Sequence, residues 1–82
     1  MSVVKPVLRV DVRGEMCPMP VLKTRQAITQ INIGDVIEVL ATDPASKSDL
    51  ESWARKTGNK IVAVEEAETQ AGVYRFLIQR LR

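Results

Sequence analysis

Apolar residues in this chain are spaced first as in a strand, then as in a helix, and the alternation leaves few folds open. Val7 to Val12 alternates, with Leu8, Val10 and Val12 on one face, and reads as a strand. From Pro18 the spacing turns helical: Val21, Thr24, Ala27, Ile28 and Ile31 form a stripe, and Lys23, Arg25, Gln26 and Gln30 fall off it. Asn32 to Asp35, containing Gly34, ends that helix. Val36 to Ala41 is more uniformly apolar, as a central strand would be. Ser46-Lys47-Ser48-Asp49 reads as a capping signal for a second helix that carries Leu50, Trp53 and Ala54, with Gly58 as its C-terminal cap. Lys60 to Glu66 and Val73 to Arg80 read as two more strands about a turn at Glu68 to Gly72, and Tyr74, Phe76 and Ile78 share the core face of the last.

The order β-α-β-α-β-β predicts an α+β fold: two layers, with both helices on one face of a mixed four-stranded sheet and the last two strands forming a hairpin. A single domain over residues 1–82 fits the length, and 45% hydrophobic residues are enough for a core. The net charge of +2 comes from 12 basic and 10 acidic residues that are interspersed rather than blocked, which reads as a solvated surface. Trp53, Tyr74 and Phe76 are the whole aromatic complement, too few for a base-stacking platform. No apolar run is long enough for a signal peptide or a membrane span, and one cysteine makes no disulfide framework; a reducing cytoplasm is the expected compartment.

Absent residue types remove most enzyme classes. Without histidine there is no Cys-His pair, no Ser-His-Asp triad and no histidine metal site. Neither glycine-rich nucleotide loop occurs, and one cysteine cannot build a zinc or iron–sulfur site within one chain. No cofactor is expected. What remains is Cys17, in Gly14-Glu15-Met16-Cys17-Pro18-Met19-Pro20-Val21-Leu22-Lys23, where the first strand meets the first helix. A helix starting at Pro18 makes Cys17 its N-cap residue, and both prolines fall in the first turn, where no intrahelical bond is lost. The amides of Met19 and Val21 are left able to point toward the sulfur. The helix end carries roughly half a positive charge, which favours the thiolate. Arg13 and Lys23 would add to that potential and Glu15 would oppose it. Such a thiolate can attack a sulfur donor and hold the sulfur as a persulfide. The alternative for a single cysteine is a buried small hydrophobe.

At these residues the chain resembles the TusA/SirA family of small sulfur-carrier proteins. The likeness runs from Leu8 to Arg80 and rests on Val10-Asp11-Val12-Arg13-Gly14-Glu15-Met16-Cys17-Pro18-Met19-Pro20, on Ala41-Thr42-Asp43-Pro44-Ala45-Ser46 and on the closing Tyr74-Arg75-Phe76-Leu77-Ile78. It implies a two-layer α/β sandwich like the C-terminal domain of bacterial translation initiation factor three. It also implies that Cys17 carries sulfane sulfur as a persulfide. The implied donors are cysteine desulfurases or rhodanese-like sulfurtransferases. The implied acceptors are relay proteins for 2-thiouridine formation in transfer RNA, or proteins of dissimilatory sulfur metabolism. Some thiouridine-relay members of the family carry a second cysteine in the second helix, and those members tend to have Gly-His after it; Ser52-Trp53-Ala54-Arg55 and Gly58-Asn59 stand there in this chain.

Beside Cys17, the supporting candidates are Pro18, Met19, Pro20, Arg13, Lys23, Arg25 and Asp43. Lys23 and Arg25 would guide an acidic partner or steady a persulfide anion, or else belong to a solvated helix face. Asp43 before Pro44 reads as a turn and capping residue, and Trp53 as core. The leading expectation is a relay protein rather than a stand-alone catalyst, with no membrane and no direct nucleic-acid partner. A regulatory or interaction module with an incidental cysteine is the alternative, and a small RNA-binding domain the third.

Overall fold

A computed structural model describes residues 5–16, 19–66 and 72–82. Its elements run β1 (Leu8–Val12), α1 (Met19–Ile28), β2 (Val36–Ala41), α2 (Ser46–Thr57), β3 (Lys60–Glu66) and β4 (Tyr74–Gln79). The sheet order is β1-β2-β4-β3. β1 pairs parallel to β2, while β4 pairs antiparallel to both β2 and β3, so the sheet is mixed as expected. The last strand in sequence therefore lies inside the sheet, with β1 at one edge and β3 at the other. A register shift between Ile61 and Ala63 makes the β3 edge irregular, and Lys60, Glu65 and Glu66 charge it, both of which discourage strand addition there.

The core lies between the helices and one sheet face. Val10, Val12, Ile37, Val39, Ala41, Phe76 and Ile78 come from the strands; Ala27, Ile28, Leu50, Trp53 and Ala54 come from the helices. Enclosing each of Phe76, Ile37, Leu50 and Ile78 contributes roughly 1.5–3 kcal/mol, so this face decides the fold. Trp53 is core, as its helical spacing predicts.

Two expectations about the helices are corrected. The stripe through Ile31 suggests one continuous helix, yet α1 ends at Ile28 and the chain tightens as the Gln30 N–H donates to the Ala27 carbonyl (2.9 Å). Ile31 is still buried, because the turn returns its side chain to the core. At α2 the N-cap residue is Ala45, with no side-chain capping bond, and Ser46 is buried rather than capping. Asp43 prepares the helix start instead, since its Oδ1 accepts the Ala45 N–H (3.0 Å) and its carbonyl accepts the Ser46 N–H (3.0 Å). The turn expected at Glu68 to Gly72 falls, apart from Gly72, outside the described residues.

Gly58 caps α2 as read from the sequence. It is left-handed (φ 77°), and the Asn59 N–H reaches back to the Ala54 carbonyl (2.9 Å). An added Cβ would lie 2.8 Å from the Arg82 side chain. Gly58→Ala is therefore expected to lower stability by about 1–2 kcal/mol, read as a lower urea midpoint at unchanged slope.

The open face of the sheet carries charge. Arg9, Glu38, Arg75 and Glu65 connect all four strands: Arg9 Nε to Glu38 Oε1 (2.6 Å), Arg75 Nε to Glu38 Oε2, and Arg75 to Glu65 Oε1 (3.2 Å). Glu38 is only 5% exposed. The Arg75 guanidinium holds its carboxyl below the ordinary glutamate range against the opposing effect of burial, and Arg9 assists.

Candidate functional site

Parallel pairing of β1 and β2 brings both strand-to-helix connections to one end of the sheet, the position where ligands and partners meet open α/β sheets. The two loops are tied together: the Gly14 N–H donates to Thr42 Oγ1 (2.8 Å). Gly14 is left-handed (φ 80°), and the chain turns there after Val12, whose carbonyl accepts the Glu15 N–H (3.1 Å). Asp43, next to Thr42, starts α2 at the same end. Cys17 and Pro18 themselves lie outside the described residues.

On the far side of that pair the chain is held just as closely. The Met19 N–H donates to the Met16 carbonyl (2.9 Å), so this amide is spent on the backbone; the expectation that it is left for the sulfur is corrected. Pro20 is fully buried, and buried Thr24 donates from Oγ1 to the Pro20 carbonyl (2.7 Å), anchoring the first turn of α1.

Charges near this loop are largely paired. Arg13 binds Asp11 with both Nε (2.9 Å) and a terminal nitrogen (2.7 Å), and its hydrogen bond pulls the Asp11 carboxyl down to about 2. Lys23 Nζ meets Glu15 Oε2 at 2.7 Å. Two cations expected to favour the thiolate are thus each matched by a carboxylate. Arg25 is exposed and has no charged partner among the described residues. Beside it, Met16, Met19 and Leu22 expose 76%, 37% and 40% of their surface, an apolar row that continues from the loop along α1.

Sequence reasoning places Met19, Pro20, Arg13, Lys23, Arg25 and Asp43 around this end; Met19, Pro20, Arg13, Lys23 and Asp43 lie there, whereas Arg25 sits in the last turn of α1. It missed the Gly14–Thr42 tie, the Thr24 hydroxyl's bond to the Pro20 carbonyl and the Glu15–Lys23 contact. No periodic signal marks Glu15 and Lys23, because their eight-residue separation crosses from a loop into a helix.

Residues 8–80 match the family described as sulfurtransferase TusA. The chain belongs to the TusA family. A candidate sulfur carrier protein of Halobacterium salinarum is 42% identical over 73 residues, spanning 88% of this chain and 86% of its own. The sulfur carrier protein TusA of Allochromatium vinosum is 34% identical over 70 residues, spanning 85% and 88%. Among solved structures, a SirA-like protein of Desulfitobacterium hafniense superposes with a TM-score of 0.79 at 25% identity, covering 93% of this chain and all of that one. The TusA-family sandwich expected from the sequence is the fold observed. No helix among the described residues is long and apolar enough to cross a membrane.

Proposed function

We propose that this TusA-family protein is a sulfur carrier that loads sulfane sulfur on Cys17 and hands it to another protein. The observation that carries the reading is that the matched residues 8–80 include the chain's single cysteine, three positions after Gly14, whose N–H fastens the β1 end to Thr42. The Cys17 thiolate attacks the terminal sulfur of a donor persulfide. One S–S bond forms on Cys17, the donor's S–S bond breaks, and the donor leaves as a thiolate with the electron pair. No net oxidation occurs. Delivery repeats the exchange with Cys17 as the leaving group.

The donors that fit are cysteine desulfurases and rhodanese-like sulfurtransferases. The acceptors that fit are relay proteins of transfer-RNA thiolation or dissimilatory sulfur metabolism, and a reducing cytoplasm suits an unpaired thiol. Met16, Met19 and Leu22 supply an apolar contact surface, and buried Pro20 stiffens the first turn of α1 beside it. Incubation with cysteine and a desulfurase, or with thiosulfate and rhodanese, is expected to add about 32 Da per sulfur to the intact mass. An unchanged mass under conditions that load another TusA-family carrier would overturn the reading, and tight salt-dependent binding to RNA would favour the nucleic-acid alternative.

Arg25, which has no charged partner among the described residues and lies beside the apolar row, suits a donor with an acidic surface. Arg25→Glu is expected to slow loading from such a donor about tenfold at low salt, with the deficit shrinking as salt is added. Loading from a small-molecule persulfide should be unaffected, and stopped-flow or quenched mass measurements separate the two.

A further inference from the structure

We propose that the free edge of β1 pairs with the same edge of a second copy of this chain, joining two four-stranded sheets antiparallel about Val10. This goes beyond the sulfur-carrier reading and is independent of it. β1 ends the sheet: β2 pairs with one side of it, and no described strand lies on the other. The bulge that blunts the β3 edge has no counterpart here. All five residues from Leu8 to Val12 keep unbroken register with β2, and no proline stands among them. The backbone groups of β1 that face away from β2 therefore form a regular template for another strand.

Charge selects both the partner and the register. Leu8, Val10 and Val12 turn toward the core, which leaves Arg9 and Asp11 exposed on the open face, opposite in sign and two residues apart. In an antiparallel pair centred on Val10, Arg9 of each copy stands opposite Asp11 of the other, and Leu8 stands opposite Val12 on the apolar side. Centring the pair on Arg9 or on Asp11 sets like charges face to face. The registers between them put a charge opposite an apolar residue that belongs to the other face. Both side chains have capacity left. Arg9 meets Glu38 through Nε (2.6 Å) and has no other ion pair among the described residues, so its terminal nitrogens can reach a second carboxylate. Asp11 holds Arg13 in an exposed pair that contributes little in water and that a second cation can share. Two-fold symmetry makes each match occur twice. Because the strands are short, the result is a weak dimer rather than an obligate one.

The test is a dilution series of the full chain, followed by sedimentation equilibrium and by backbone amide NMR. Mass is expected to rise toward twice the monomer value with a dissociation constant of about 0.1–1 mM, and the amide shifts that move are expected to fall on residues 8–12. Asp11→Lys and Arg9→Glu each turn two attractive pairs into repulsive ones, and each should weaken self-association about tenfold. Mixed together, the two variants are complementary again and should form a heterodimer near the wild-type affinity, which a merely structural role for either residue cannot produce. Thermal melts establish that each variant is folded. Should Arg9→Glu fail to fold beside Glu38, the wild-type amide shifts decide by themselves. A chain that stays monomeric up to about 2 mM overturns the proposal, as does a dimer whose shifts fall on β3 or on the row of Met16, Met19 and Leu22. Two folded variants that do not associate on mixing overturn it too. Shifts at β1 that need added desulfurase or rhodanese would assign the edge to a donor protein, again against the proposal. No readout involves sulfur loading, so the carrier reading can fail while the paired edge stands.

Discussion

Cys17→Ser is expected to abolish sulfur loading altogether. Cys17 is the chain's single thiol, and a serine hydroxyl can neither exchange with a persulfide nor store sulfur as S–S. Intact mass after incubation with a donor system should show about 32 Da gained by the wild type and nothing by the variant. Fold and stability should be nearly unchanged, so an unfolded variant cannot account for the loss if far-UV spectra superpose. Loading that persists in Cys17→Ser would mean the sulfur sits elsewhere, and with no second cysteine the carrier reading would then collapse.

Glu38→Ala is expected to cause the largest loss of stability short of disrupting the core, about 2–3 kcal/mol at neutral pH in urea unfolding. Most of this comes from Arg75, about one-third exposed, which loses its charge-assisted partner on the sheet; Arg9 is mostly exposed and adds a few tenths. The effect has a definite pH dependence. Because the folded state holds the Glu38 carboxyl below its ordinary range, its contribution is fully present above the unfolded pKa and is lost as pH falls through the lower folded value. The difference between wild type and variant should therefore shrink in acid. A difference that stays constant from neutral pH to well below the glutamate range would show that the carboxylate's charge is not what matters.

These two residues show how differently site and scaffold are written in the chain. Cys17 stands out by type and by its place between a strand pattern and two prolines. Glu38 is hidden inside an apolar run, where the pattern of Val36 to Ala41 gives no reason for a charge. Its role appears only when register aligns Arg9 with it on one side and brings Arg75 from β4 on the other. Ile31 and Ser46 illustrate a similar limit. Apolar spacing identifies what is buried, whereas where a helix stops depends on turns and caps that use local hydrogen bonds. Hence Ile31 is core without being helical, and Asp43 rather than Ser46 prepares α2.

Element order, the core faces of β1 and β4, the glycine cap at Gly58 and the candidate thiol are all legible in the linear chain. Periodicity and residue type are local properties, and each segment states them independently. Three-dimensional packing was needed to establish that β4 inserts between β2 and β3, that Thr42 fastens the two loops, and that Lys23 is held by Glu15. Those outcomes depend on which distant segments become neighbours, and pairing across a sheet or from loop to helix leaves no periodic trace in the chain.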